Sequence, residues 1–559
     1  MGPRISKQCK YAHTCYSSNS FLIMKLRLIL LNYILLPLCC MAQDAGHNDL
    51  WLSMYGEPIS FVVDGIRFTT NGGRENNCMT VSASAYIPEA DSCNNLDIAF
   101  YVASDTLLVP HTVDFDGRTY VVTAISSHGF EGCGYIRHLI ISNGVRRIGR
   151  MAFGGCMALE SVSIPASVSL IDRNPFAGCV VLKHITVDRQ NEWYGSESGG
   201  ENIVVEKKSN CVVVGSAQSI IPSNIVTIGM QAFSGYCLQS VPKLPEGLVS
   251  IEGGCFENCQ GLNGLQLPES LRTIENQAFA GSDIESVHIP AGVKQIGEGV
   301  FMRCNRLHAI TVDSHNDIYD SRQECNAVVE TLSSRLVSAC LSSTIPDGIR
   351  EISDYAFGGL SGVTQIVLPK SVSSISPLAF AGCHSLSRIT VDKHNVRYDS
   401  RDNCNAVIET STQQLVIGCG ATNIPSSIRS IGPSAFAMTS LPATLILPAG
   451  ITEIGDFAFE QCSGLCNILL PSTLKTLGQG AFAGCKELRS VYIPSNSIRV
   501  ISRWTFMDCI NLEQIHIPSG CENVDASAFS GCTKLKRLTY ESPDTHVPDD
   551  LNTERTTIF

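Results

Sequence analysis

A chain of 559 residues exceeds what one hydrophobic core ordinarily fills, so it either divides into domains or grows in one direction. Its 40 Lys and Arg stand against 52 Asp and Glu, for a net charge of −12. No run of clustered Lys and Arg occurs, which argues against a phosphate-binding surface and against nucleic acid as a partner.

In chain order, the first readable element is Met24-Lys-Leu-Arg followed by a nearly all-apolar run over 28–38. This is the charged start and short apolar stretch of a secretory signal, with cleavage after Ala42. It is too short to span a membrane comfortably. Residues 1–23 then precede a segment that normally begins a chain, which points to Met24 as the native start and 1–23 as a non-native extension. Cys39 and Cys40 suggest lipid attachment, but Leu38 is a poor fit to the small residue expected before such a cysteine. No later stretch reads as a transmembrane helix.

Residues 43–115 are expected to form an N-terminal β cap. Phe61-Val-Val-Asp-Gly-Ile-Arg-Phe68 reads as a hairpin turning at Asp64-Gly65. Val113-Asp-Phe-Asp-Gly-Arg-Thr-Tyr120 repeats the device at Asp116-Gly117. Asp114 and Asp116 resemble the start of a calcium loop, but the other ligands are missing, so the turn reading is preferred. Cys78 and Cys93 both fall in this region and are candidates for a disulfide in an exported protein.

From 116 to 540 the sequence repeats. Fourteen phenylalanines from Phe130 to Phe529 recur at spacings of 22 to 24 residues, apart from three gaps of 56 or 57 that end at Phe233, Phe357 and Phe436. A fixed period in the twenties means a solenoid, because one such unit cannot bury its apolar side and stacked neighbours can. In each unit L-x-x-I-x-I-P alternates apolar and polar residues, as in Leu159-Glu-Ser-Val-Ser-Ile-Pro165, and reads as a short strand ended by proline. S-V-x-x-I then supplies a second buried pair, and A-F-x-G-C closes the unit on a tight reversal. Stacking at roughly 4.8 Å per unit makes a rod about 70 Å long, with each anchor Phe lying on the next.

The pattern L-x-x-I-x-I-P-x-S-V-x-x-I-G-x-x-A-F-x-G-C resembles the BspA-like class of bacterial leucine-rich repeats. The resemblance implies a repeat solenoid rich in β-structure with short turns and 3-10 segments, coiled as a right-handed superhelix. It also implies a secreted or cell-surface location. Better-studied members of that class resemble adhesins for host matrix proteins and other bacteria, and the class implies no catalytic site.

The three long gaps hold insertions near 188–221, 313–345 and 392–424. The last two are close copies, Tyr319-Asp-Ser-Arg and Tyr398-Asp-Ser-Arg each leading into Cys-Asn-Ala-Val and a second apolar run. Each reads as a hairpin. Symmetric pairing sets Cys325 against Cys340 and Cys404 against Cys419. The first insertion has Glu201 and Ser216 at the matching places, and this joint loss favours two disulfides. Ten other cysteines sit three residues after an anchor Phe and read as a ladder of small buried side chains. No zinc-spaced pair is present, and no cofactor or metal is expected. Residues 541–559 lack the repeat marks and read as a tail.

The residue between the last two apolar positions of each strand points outward. Along the stack this row includes Lys243, Gln266 and His288, and it ends in a run of larger side chains at Ile446, Leu469, Tyr492 and His516. An exposed apolar patch with an aromatic anchor marks a candidate ligand-binding face, and the insertions are a second candidate. No motif of a hydrolase, kinase-type phosphate loop, metalloprotease or dinucleotide enzyme occurs, so no enzymatic activity is expected. The expected function is macromolecule binding, as an adhesin for extracellular host or bacterial surface proteins. The alternative is glycan capture or scaffolding in a surface nutrient-uptake system.

Overall fold

The computed structural model describes residues 60–64, 66–75, 78–85, 105–195, 202–494, 498–540 and 554–557. The signal segment, Cys93 and most of the tail lie outside these. Within them the chain winds as a β-solenoid. A typical coil has three sides: a long strand such as Ser161–Ile164, a two-residue strand such as Leu170–Ile171, and a turn carrying the anchor Phe. The long strand alternates outward and inward residues, with Val162 and Ile164 buried. This is the period-2 pattern of a strand with one face in the core. Coils pair in parallel and in register, His184 on Ser161 and Leu170 on Arg147.

Both expected turns at the N-terminal end form. Val63 pairs with Ile66 across Asp64-Gly65, and Phe115 pairs with Arg118 across Asp116-Gly117. Asp116 and Gly117 both have positive φ, which suits a two-residue hairpin turn. Asp114 accepts a hydrogen bond from the Thr119 hydroxyl at 2.5 Å, so it serves the hairpin. Cys78–Ala85 then pairs in parallel with Arg118–Ile125, joining this small antiparallel sheet to the first coil.

The turn side is the most regular part of the stack. The Phe153 N–H donates to Pro175 in the next coil, and the Phe459 N–H to Ala481, each at 2.8 Å. The rings follow the backbone: Phe436, Phe459, Phe482, Phe506 and Phe529 stack at centroid distances of 5.2 to 5.6 Å and interplanar angles of 5° to 6°. All five are buried.

The cysteines three residues after each anchor do more than fill space. The thiol of Cys462 donates to the carbonyl of Phe436, that of Cys485 to Phe459 and that of Cys532 to Phe506, each at 3.0 Å. Each thiol thus reaches back to the anchor of the previous coil. Tyr236 occupies the same position after the first insertion, and its hydroxyl donates to Phe176 in the same way. Burial pushes the Cys304 thiol up to about 11 and those of Cys383 and Cys532 up to about 12, which keeps them protonated as donors.

The long-strand ladder is not continuous. The units that follow Phe233 and Phe256 carry no long strand, so Lys243 and Gln266 do not stand in a sheet row as the pattern suggests. Pro242 cannot donate to a ladder, and Gly264 sits at φ +87°. The longest uninterrupted stretch runs from Thr444–Ile446 to Arg537–Tyr540, where Glu554–Thr557 adds a final parallel strand.

Truncating Phe459 to Ala leaves a cavity between two stacked rings and is expected to cost about 3–5 kcal/mol. Chemical denaturation of wild type and Phe459→Ala measures this directly, and an unchanged midpoint would refute the ring stack as a source of stability.

Candidate functional site

Two kinds of surface interrupt the repeat: the three hairpins and the apolar column on the long-strand face. The hairpins form as expected, with Ala327–Glu330 against Arg335–Ala339 and Val407–Glu409 against Gln414–Ile417. The first insertion does the same with Val204–Glu206 and Cys211–Val214.

The expected disulfides do not form. Cys325, Cys340, Cys404 and Cys419 are all free, buried thiols. A bulge between Val328 and Val329 shifts the register by one, so Ala327 pairs with Ala339 and Cys340 comes level with Asn326. Its thiol donates to the Asn326 carbonyl at 3.3 Å. Neighbouring strand residues face opposite sides, so Cys325 and Cys340 point into different cores. The same bulge between Val407 and Ile408 separates Cys404 from Cys419.

Both faces of these hairpins are therefore buried. Val328, Val337 and Cys340 pack with the coils before the insertion, while Ala327, Val329 and Leu336 pack with the coils after it. Each hairpin also starts the next short-strand ladder, since Arg335–Ala339 pairs in parallel with Glu351–Ile352.

The residues shared by the two copies hold this geometry. Asp320 binds Arg322 through two side-chain bonds, Nε to Oδ1 at 2.9 Å and Nη2 to Oδ2 at 2.6 Å, and also accepts from Thr331. Asp399 repeats this with Arg401 and Thr410. Burial alone would raise both aspartates, but these bonds outweigh it and hold the carboxyls below their ordinary value.

A motif missed at the level of sequence precedes all three hairpins. Asn191, Asn316 and Asn395 each donate from the side-chain amide to two carbonyls of the previous coil, Asn316 to Pro290 and Val293 at 2.9 and 3.0 Å. Three residues on, Tyr194 and Tyr319 accept from the backbone N–H of Ile171 and Ile296, each at 2.9 Å. The ladder stops at those strands, and the phenol oxygen satisfies the N–H left behind. The recurrence of N-x-x-Y at the start of each insertion was the available signal.

What remains exposed on the hairpins is unshared. Leu332 at one tip is 99% exposed, and Val396 between Asn395 and Tyr398 is 93% exposed. Trp193, at the corresponding stretch of the first insertion, is half exposed.

The apolar column is placed as the strand pattern requires. Ile446 pairs with Leu469, and Leu469 with Tyr492, on three adjacent strands. Their exposures are 68%, 43% and 59%. His516 lies on the next strand but is half-buried, with Nδ1 3.0 Å from the Thr539 hydroxyl. A smaller pair, Leu108 and Ile140, is exposed at the other end of the stack, on the paired strands Thr106–Val109 and His138–Ile141. Among the described residues no group of three His, Cys, Asp or Glu is arranged to hold a metal ion, and no helix is long and apolar enough to cross a membrane.

Comparison with known proteins agrees with this architecture. A family profile described as BspA type Leucine rich repeat region matches in six copies, over 121–198, 214–326, 338–440 and 418–536. No curated protein matches the chain. Among solved structures, a leucine rich cell surface protein from Faecalibacterium prausnitzii shares 23% identity over 87% of this chain and 96% of its own, with a TM-score of 0.35. The pneumococcal vaccine antigen PcpA shares 18% over 86% and 81%, with a TM-score of 0.30. A leucine-rich repeat protein from Bacteroides ovatus shares 17% over 89% and 100%, with a TM-score of 0.24.

Two predictions follow from the hairpins. Thiol titration in denaturant without reductant is expected to find Cys325, Cys340, Cys404 and Cys419 all reactive; their absence from the count would restore the disulfides. The lowered aspartates contribute stability that is complete above the unfolded value of about 3.9 and is lost as pH falls through the lower folded value. Melting curves of wild type should therefore fall below about pH 4, and Asp320→Asn/Asp399→Asn should start lower and lose less; parallel curves would rule out the Asp–Arg staples as the acid-sensitive element.

Proposed function

The chain belongs to the BspA-type leucine-rich-repeat family, and from that premise we propose that it is an exported surface protein that holds another macromolecule against its long-strand face. The family is one of repeat proteins without a characteristic active site, and the fold presents surface in place of a cleft. The observation that carries the reading is the column Ile446, Leu469 and Tyr492. Three successive rungs expose large apolar or aromatic side chains on a rigid ladder whose other outward positions are mostly small or polar. Burying such a column favours a partner by roughly 25 cal/mol per Å² of apolar area, with Tyr492 able to add a hydrogen bond at its rim. The partner class is extracellular protein, from host matrix or from a bacterial surface, and the role is adhesion.

Surface plasmon resonance of the purified chain against a panel of host matrix proteins and bacterial surface proteins tests this. Saturable binding that Tyr492→Ala weakens roughly tenfold or more is expected for an interface anchor. Binding that is indifferent to Tyr492→Ala would move the site off this face.

A further inference from the structure

The unit from Phe482 to Phe506 is 24 residues long, while the units on either side are 23. The extra residue falls on one side of the coil only. The long strand Asn467–Leu469 starts 9 residues before the short strand Thr476–Leu477, and Gln514–Ile517 starts 9 before Asn523–Val524, but Ser490–Tyr492 starts 10 before Val500–Ile501. The long strands stay paired and the rings of Phe482 and Phe506 still stack at 5.6 Å. The short strands do not. Among the described residues no backbone pair joins Thr476–Leu477 to Val500–Ile501, although pairing resumes between Val500 and Asn523.

Elsewhere among the described residues the short-strand ladder stops only at the three insertions, where a hairpin restarts it and a tyrosine stands over the open end. Here neither is present. Ser502 substitutes a side-chain bond, its hydroxyl donating to the Leu477 carbonyl at 3.3 Å, for the backbone bond that Gly478 and Asp525 make in their own coils. The result is an open groove of about 490 Å³. Val500, among the exposed large hydrophobics, gives it an apolar side, while the lining Leu477 is itself buried in the core.

The groove is too narrow for an added strand. The two short strands keep Cα atoms within 8 Å, and a third strand between them would need about 9.6 Å. Recognition must come from the side chains that line it: Asp456, Gln479, Arg503, Asn523 and Asp525. Asp456 accepts from the Gln479 N–H through Oδ1, and Asp525 accepts from the Ser527 N–H and hydroxyl through Oδ1. These bonds fix both carboxylates through one oxygen each, and among the described residues the second oxygens accept no hydrogen bond. Arg503 lies 5.4 Å from the Trp504 ring, which holds its guanidinium in place.

The mixture of charges narrows the ligand. Two carboxylates repel a phosphate or sulfate, and Arg503 repels a cation. What accepts from a guanidinium and two amides while donating to two carboxylates is a set of neighbouring hydroxyl groups, with C–H faces for the apolar side. We propose that this groove binds a neutral oligosaccharide, at a site separate from the apolar column and independent of it.

Calorimetry of the full chain with neutral hexasaccharides of glucose, xylose, mannose and galactose tests this, with heparin and hyaluronan as charged controls. Saturable binding of at least one neutral sugar is expected. Arg503→Ala and Gln479→Ala should each weaken it roughly tenfold, as loss of hydrogen bonds to ligand does. Tyr492→Ala should leave it unchanged, which separates this site from the sheet-face partner. Gln479→Ala decides the matter should Arg503→Ala fold poorly. Absence of binding by every neutral sugar, equal binding by the variants, or preference for the charged controls would overturn the proposal.

Discussion

Each anchor phenylalanine inside a run touches the same residue type twice, the ring of the coil before and the ring of the coil after, and one at the end of a run touches it once. That repetition is the constraint on which the solenoid rests. A ring stacked at 5.2 Å on its neighbour demands that the next coil return to the same place, and the backbone bonds from Phe N–H to the following coil demand the same. Strand pairing on the other two sides is looser. It lapses where Pro242 or Gly264 falls in the long strand, at each insertion, and at the 24-residue unit, yet the backbone bonds of the turn side carry through the first two insertions and the 24-residue unit. The Gly178 N–H reaches Ser234 across the first insertion and the Arg303 N–H reaches Gly358 across the second.

The cysteines belong to the same constraint. The residue three after the anchor sits beside a carbonyl of the coil before. In most units it is a cysteine, and its thiol donates to that carbonyl. Tyr236 does the same by a different route, its hydroxyl donating to Phe176 across the first insertion. This accounts for free cysteines at the ladder positions of a chain read as exported: most are buried, and their thiols are already in use as donors.

Much of this was legible in the sequence, and the parts that were not share a cause. Period, anchor residues, hairpins and the outward row apart from Lys243 and Gln266 follow from spacing, because stacking turns spacing into position. The pairing of Cys325 with Cys340 failed because one bulge moves every residue beyond it to the other face, and no residue type announces such a register shift. The asparagine and tyrosine of N-x-x-Y were visible in triplicate, but their partners are backbone atoms of another coil, which no side-chain pattern reveals. The spacing of 24 was also visible. Its effect was hidden because an extra residue can be absorbed on any of three sides, and only the strand pairings show which.

The hairpins have a mechanical consequence. Each is walled by apolar residues on both faces, and the second and third divide the main hydrophobic interior into separate compartments. In a stacked array, loss of one coil strips its neighbours of half their contacts and would spread. A partition with its own buried side chains on each face stops that spread. A solenoid built this way, pulled from its ends, yields compartment by compartment and lengthens in steps, shedding load while the remaining segments stay folded.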